Sequence, residues 1–375
     1  MIRRRVLGLY LLREFAQYAG IGTLAVGILL SGENTLRQLR DYAGMDMSLA
    51  DLAHLIGAVL LLALTYVVPI AFVFGLLVAV ARLSADSEIT AMRALGVSLA
   101  QLTQPFLLAG LVVSAGTWVL LSDVSPHAHR DIMRLGAEIA GRGGFIQPGR
   151  FVDIGASRTL FVDRREGRQL KGVVISDRSD PENSYTVIAE RGIFEFDPAT
   201  TGARLELLSG DVHFASALPE DGHYRRIAFR KLVYSFELGN DFATTFDRLL
   251  PKHMTSRELL GVVREFDRLG HPPNVRDKDR RAYEVELHSR AALSFAPVLF
   301  ALVGFPLGLR RARGARSWGT LICIAVVFGY YTLLTAAENA AGDGVLPAWI
   351  ALWIPNSLLV VFAAAAFRQA QRPES

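Results

Sequence analysis

Ser84-Ala-Asp-Ser-Glu-Ile-Thr-Ala-Met-Arg-Ala-Leu-Gly-Val-Ser98 is a polar, helix-forming stretch set between two long apolar segments. Ser84 or Asp86 can cap a helix N-terminus, Asp86 and Glu88 complement the positive end of its dipole, and Gly96 offers a stop. At about 100° per residue, Glu88, Met92, Leu95 and Leu99 share one face while Asp86, Thr90, Arg93 and Val97 share the other. The spacing therefore predicts a helix over 84–98 with two readings. It is a connector lying on a membrane, its acids serving only the dipole, or it is a docking surface. In the second case Met92 and Leu95 supply apolar area and Glu88 seeks a cation on a partner.

The membrane reading follows from composition. With 375 residues, 51% of them hydrophobic, and a mean hydropathy of +0.30, the chain is too apolar for an ordinary soluble protein. Its 20% charged residues must nevertheless sit somewhere wet. Runs of about 20 apolar residues span a bilayer as helices. Six are expected, at 15–32, 53–81, 99–121, 291–309, 318–337 and 345–367, with possible kinks at Pro69, Pro105, Pro297, Pro306 and Pro355. The interval 123–285 contains no such run.

Arginines in the short flanks set the orientation. Arg3, Arg4, Arg5, Arg13, Arg82, Arg93, Arg310, Arg311, Arg313, Arg316, Arg368 and Arg372 fall on one side, against Arg37 and Arg40 on the other. This places both termini and the 84–98 helix in the cytosol and the 123–285 domain outside. Arg3-Arg4-Arg5 imitates the start of a signal peptide, but Glu14 interrupts and no convincing small-x-small site follows, so an uncleaved first span is expected. The pI near 9.3 reflects the cytosolic arginine rim and gives little support to a nucleic-acid partner. A single cysteine, Cys323 in an apolar span, excludes an intrachain disulfide and a Cys-cluster metal site.

Beyond the first span, Glu33, Arg37 and Arg40 recur at helical spacing near the outer surface. Those arginines either snorkel to headgroups or recognise a phosphorylated amphiphile with their planar forks. Arg130 and Arg134 form a second such pair. From about 145 the pattern changes to period two, in 159–163, 172–176, 185–189, 192–196, 204–207 and 232–238. Turn signals lie at 197–202, 209–211 and 219–222. About eight antiparallel strands in a sandwich or open barrel are expected, enclosing either a plain core or a groove for acyl chains. Thr255-Ser-Arg-Glu258 fits a capping box opening a helix with an apolar face of Leu259, Val262, Val263, Phe266 and Leu269. Glu286 and Arg290, four apart, either pair locally or meet a charged substrate. Gly304 and Gly308 form a small-xxx-small pair suited to close helix packing.

Compact catalytic signatures are missing. There is no Gly-x-x-x-x-Gly-Lys, His-Glu-x-x-His or Gly-x-Ser-x-Gly. His127 and His129 read as surface residues, so neither a metal nor a cofactor is expected. The spans carry almost no ionisable residues, which argues against an ion pathway.

Leu83 through Ser98, Phe151-Val-Asp-Ile, Leu160-Phe-Val-Asp-Arg-Arg-Glu-Gly, Leu170-Lys-Gly-Val and Glu286-Leu-His-Ser-Arg290 resemble the LptF/LptG permease family, subunits of the lipopolysaccharide-export ABC transporter of Gram-negative inner membranes. Ser-Glu-Ile-Thr and Glu-Leu-His-x-Arg look more like LptF. The resemblance implies a membrane protein with a six-helix transmembrane α bundle and an inserted all-β, jellyroll-like periplasmic domain. Helices one to three with the coupling helix 84–98 occupy 1–122, the outer domain with its following helix 123–285, and helices four to six 286–375. It implies a transport subunit and not an enzyme, with ATP hydrolysed by an LptB dimer. Further implied partners are a paralogous permease (LptG for an LptF), LptC, LptA and lipopolysaccharide. Glu88 matches the family's coupling-helix acid, with Met92 and Leu95 beside it against LptB. Arg37 and Arg40 become candidate contacts for lipopolysaccharide phosphates. The competing readings are a mechanotransmitting ABC membrane subunit and a non-transport membrane scaffold.

Overall fold

Apolar runs with no water to satisfy their backbone must close their hydrogen bonds within helices, and they do so in this computed structural model. It describes residues 2–41, 47–144, 146–154, 157–180, 184–197, 202–214, 225–237, 250–269, 277–309 and 315–371. Among these, the side chains at 2–5, 33–41, 140–141, 196–197, 202, 236–237, 267, 269, 277–279, 315–320, 323 and 371 lie outside the described residues. The chain divides into two units, one of Met1–Thr35, Val59–Ala128 and Pro251–Ser375, the other of Leu36–Ala58 and His129–Leu250.

The helices in chain order are α1 (Ile2–Asp41), α2 (Leu49–Ala85), α3 (Glu88–Ala94), α4 (Leu99–Val119), α5 (Ser125–Gly141), α6 (Ser256–Leu269), α7 (Asp277–Gly308), α8 (Ala315–Gly342), α9 (Ala348–Ala351) and α10 (Ile354–Gln371). Among the described residues five stretches are long and apolar enough to cross a membrane: Val6–Gly32, Leu49–Ala85, Leu99–Ile139, Arg280–Gly308 and Ala348–Ala370. The remaining expected span, 318–337, lies on α8, some of whose side chains are outside the described residues. The expected span 345–367 is broken into α9 and α10, with Pro355 in the first turn of α10, where its missing N–H costs nothing. The third helix does not stop near 121. It runs through a π-helical turn, Leu120–Val124, into α5. Pro126 has no N–H for the carbonyl of Ser122 and its ring crowds that carbonyl, and the widened turn lies there.

In the helical unit α2 is the axis of the core. Leu76, Leu77, Val80 and Leu83 are fully buried, against Phe300, Val303 and Phe305 of α7 and Leu102 and Phe106 of α4. Phe15 joins edge-on to Phe72 at 5.1 Å and to Phe106 at 6.2 Å. The expected small-residue packing is present: a Cβ added at Gly304 would lie 2.8 Å from Leu76, and one at Gly308 2.7 Å from Val80. Gly75 is tighter, since a Cβ there would meet the Ala19 backbone of α1 at 2.6 Å. By contrast, Leu24, Ile28 and Leu29 of α1 and Val361 of α10 are exposed, as lipid-facing side chains are.

The second unit contains one six-stranded antiparallel meander: β1 (Phe151–Asp153), β2 (Arg158–Glu166), β3 (Gln169–Asp177), β4 (Tyr185–Asp197), β5 (Gly202–Phe214) and β6 (Arg225–Glu237), hydrogen-bonded in sequence order. The described strands number six, not about eight, because 185–189 and 192–196 form one continuous strand and the expected turn at 209–211 lies inside β5. Ser209 keeps the positive φ of a turn residue, 56°, without turning the chain. It belongs to a crease crossing the sheet. The pairs Asp163–Gly172, Gly172–Glu190, Glu190–Ser209 and Ser209–Arg230 are missing from ladders otherwise continuous on either side. Side-chain alternation slips by one residue there. Val162, Val173 and Ala189 before the crease and Leu170, Gly192 and Leu207 after it all face one core. Gly172, at φ 64°, has no room for a side chain, because a Cβ would approach that of Asp163 to 2.8 Å.

One acid anchors the end of this core. Asp177, 4% exposed, accepts hydrogen bonds from Arg158 Nε at 2.9 Å, Tyr234 Oη at 2.8 Å, Tyr185 Oη at 3.1 Å and the Ser179 amide at 2.9 Å. Burial pushes its pKa up, but the bonds from Ser179, Tyr234 and Tyr185 outweigh burial and hold it at about 2. Because this is below the unfolded value of about 3.9, the contribution is complete above that value and is lost as pH falls through 2. The difference of about 1.9 pKa units corresponds to about 2.6 kcal/mol. Hydrogen exchange of the full chain in detergent should show the amides of β3, β4 and β6 losing protection between pH 4 and pH 2, and Asp177→Asn should show the loss already at neutral pH.

Candidate functional site

The stretch 84–98 does not form one helix. Ser84 and Ala85 complete the last turn of α2, so Ser84 is helical and cannot cap, and its hydroxyl instead donates to the Leu309 carbonyl at 3.3 Å. Asp86 does not cap either, accepting from Arg82 Nε at 3.2 Å. The N-cap of the seven-residue α3 is Ser87, held left-handed at φ 58° with no side-chain cap bond. Gly96, at φ 88°, ends the helix as expected. Helical phase does not carry through that stop. Leu99 therefore belongs to α4, whose Ser98–Gln101 capping box the sequence reading missed, and is buried there.

The candidate docking residues separate accordingly. Leu95 is 85% exposed, Met92 leans against the helical core, and Ile89, 4% exposed, is the residue that seats α3. Glu88 already has partners within the chain. Its Oε2 accepts from Tyr10 Oη at 2.7 Å, and its Oε1 lies 3.8 Å from Arg82 Nη2. Arg82 also binds Glu14 of α1 through Nη1. Neither Tyr10 nor a structural role for Glu14 and Arg82 was recognised in the sequence. The available signal was Glu14, a carboxylate inside an apolar run.

At the N-terminal half of α7, Arg290 is buried and fully used. Its Nε donates to Glu286 at 2.8 Å, Nη1 to the Met254 carbonyl at 2.7 Å, and Nη2 to the carbonyls of Pro251 at 3.3 Å and Lys252 at 3.4 Å. The segment it grips is a 3-10 turn, Pro251–His253, leading into α6, whose predicted capping box is formed: Thr255 N to Glu258 Oε2 at 2.7 Å and Glu258 N to Thr255 Oγ1 at 3.3 Å. Ser256 bonds Ser122 of the π turn at 3.0 Å. The local Glu286–Arg290 pair is thus present, and the guanidinium is directed to backbone carbonyls.

Residues 9–369 match the family described as lipopolysaccharide export system permease LptF/LptG. The chain belongs to the LptF/LptG family. It is 23% identical over 303 residues to the lipopolysaccharide export system permease protein LptF of Escherichia coli K12, covering 79% of this chain and 76% of that protein. The LptF proteins of Escherichia coli O157:H7 and Shigella flexneri match to the same extent.

The other positions singled out for this LptF/LptG-family chain are dispersed. Arg37 and Arg40 lie in the last turns of α1, their side chains outside the described residues. Arg134 pairs loosely with Asp131 at 3.8 Å, and both are exposed. A pair the sequence did not reveal joins Arg142 to buried Asp51 at 3.3 and 3.4 Å. Asp51 also exchanges bonds with Ser48: the Ser48 amide donates to Asp51 Oδ2 and the Asp51 amide donates to Ser48 Oγ, each at 3.1 Å. Among the described residues no group of three His, Cys, Asp or Glu side chains is placed to hold a metal ion.

Replacing Arg290 with Leu removes its hydrogen bonds from α7 to the carbonyls of Pro251, Lys252 and Met254, at a cost of about 2–4 kcal/mol. Hydrogen exchange should then accelerate in 254–262, with the α2 core amides unchanged.

Proposed function

We propose that this chain is a permease subunit of an ABC transporter that extracts lipopolysaccharide from the inner membrane and passes it to a periplasmic bridge. The observation that carries this reading is the family match over residues 9–369, covering helices and sheet alike. A separate LptB dimer supplies ATP hydrolysis. A paralogous permease completes the membrane unit, LptG if this chain is the LptF that its relatives suggest. LptC and LptA receive the lipid. Both termini and α3 face the cytosol, the six-stranded sheet lies in the periplasm, and the bundle has six spans, with α8 as the fifth.

Three features support the division of labour. Short α3, with Leu95 exposed and Glu88 at its start, offers an apolar knob beside an acid, the pattern a groove with a cationic wall receives. Met92 stiffens its inner side. The sheet's single apolar face, lined by Leu160, Val173, Val187 and Leu205, suits acyl chains if the meander curls into a jellyroll-like groove. Arg37 and Arg40, in the last turns of α1, meet the lipid phosphates.

ATP-driven closure of LptB pushes α3, narrows the cavity between the paired permeases and drives the lipid towards the sheet. The test is a pulldown of the detergent-solubilised chain, wild type beside Glu88→Ala and Leu95→Asp, scored for a co-purifying ATPase and bound lipopolysaccharide. Wild type should recover both, and each variant should recover about tenfold less ATPase while inserting normally into membranes. If wild type recovers neither, the transporter reading fails and a scaffold takes its place.

A further inference from the structure

The acid expected to meet an outside cation is already held from within. Arg82 stands among three carboxylates: Glu14 of α1, bound through Nη1, Asp86 at 3.2 Å and Glu88 at 3.8 Å. Tyr10, one turn before Glu14 on α1, donates to Glu88 at 2.7 Å. Four of these side chains therefore tie α1, the end of α2 and the start of α3 together. One guanidinium cannot neutralise three carboxylates, so Glu88, its most distant acid, is the one an incoming cation displaces most easily. Helix α3 has little else to fix it. Seven residues are too few for a stable isolated helix, left-handed residues bracket it at Ser87 and Gly96, and Ile89 is its one fully seated side chain.

We infer that Tyr10, Glu14 and Arg82 are positioning residues that park the docking helix on the first span and release Glu88 when a partner's cation takes it. In the chain alone, Glu88 is latched by Tyr10 and Arg82. When the partner binds, Glu88 turns outward, Arg82 keeps Glu14 and Asp86, and the freed Tyr10 lets α1 move relative to α3. Occupancy of the docking site is thereby read by the first span. This inference rests on the docking reading of α3 for its partner, but the latch belongs to the chain by itself.

The experiment therefore has two readouts. In full-length chain with Cys323→Ala and Leu95→Cys, a nitroxide at position 95 reports the mobility of α3 with no ATPase present. Tyr10→Phe, which removes one hydroxyl and leaves the Glu14–Arg82 pair intact, and Arg82→Gln should both mobilise the label, and Arg82→Lys should restore part of the constraint. In the complex, Tyr10→Phe should recover the ATPase normally but lower lipopolysaccharide-stimulated hydrolysis about three- to tenfold, the equivalent of one solvent-exposed hydrogen bond of ordinary net strength. Unchanged mobility in Tyr10→Phe and Arg82→Gln overturns the latch whatever the partner does. Raised mobility with unaltered stimulation overturns the transmission to α1. Failure of wild type to recruit any ATPase overturns the docking reading instead, and the mobility arm still decides the latch.

Discussion

Helices in hydrocarbon gain little from burying apolar surface against one another, so the bundle depends on how closely their backbones approach. That approach is concentrated on α2. Gly75 admits the Ala19 backbone of α1, and Gly304 and Gly308 of α7 admit Leu76 and Val80 of α2, each at a separation that a Cβ would close. The matched order of these contacts, 304 on 76 and 308 on 80, makes α2 and α7 run in the same direction where they touch. Phe72, Phe106, Phe300 and Phe305 fill the space the glycines do not.

Among the described residues, the partly buried charge pairs of this packed region lie at its two ends. Arg290 and Gly308 of α7 are eighteen positions apart, about 27 Å of helix and close to a hydrocarbon thickness of about 30 Å. At one end Arg290 gathers carbonyls of the incoming 251–254 segment. At the other, Arg82 gathers carboxylates around the short α3. Both arginines are satisfied, yet their partners differ in kind. Carbonyls of a folded turn are fixed in place by the backbone around them, whereas a partly exposed carboxylate at the start of a seven-residue helix can change partners. The first site is a fixed joint and the second an exchangeable one.

The sheet unit solves a different problem, since it folds with no disulfide. Its core requires one apolar face over strands of up to thirteen residues. The crease through Gly172, Glu190 and Ser209 lets the alternation slip once on each of β2 to β6 while the face stays continuous. Asp177 closes one end by turning four polar groups inward on a single carboxylate.

Much of this was determined by the sequence by itself. Runs of about 20 apolar residues admit one backbone solution in lipid, so five of the six expected spans were legible among the described residues, as were the capping box at Thr255, the glycine stop at 96 and the close-packing glycines at 304 and 308. The family was legible because its motifs are local. What local pattern cannot carry is phase across a break or a partner distant in the chain. The helix predicted over 84–98 failed at both ends because α2 ran on through Ala85 and Gly96 reset the phase before Leu99. Strand counting failed where a turn-like Ser209 was kept inside a strand by neighbours on both sides. The pairing of Glu88 with Tyr10, 78 residues away, and of Arg142 with Asp51, 91 away, was decided only by tertiary structure, because it depends on which helix ends the packed glycines and aromatic rings bring together.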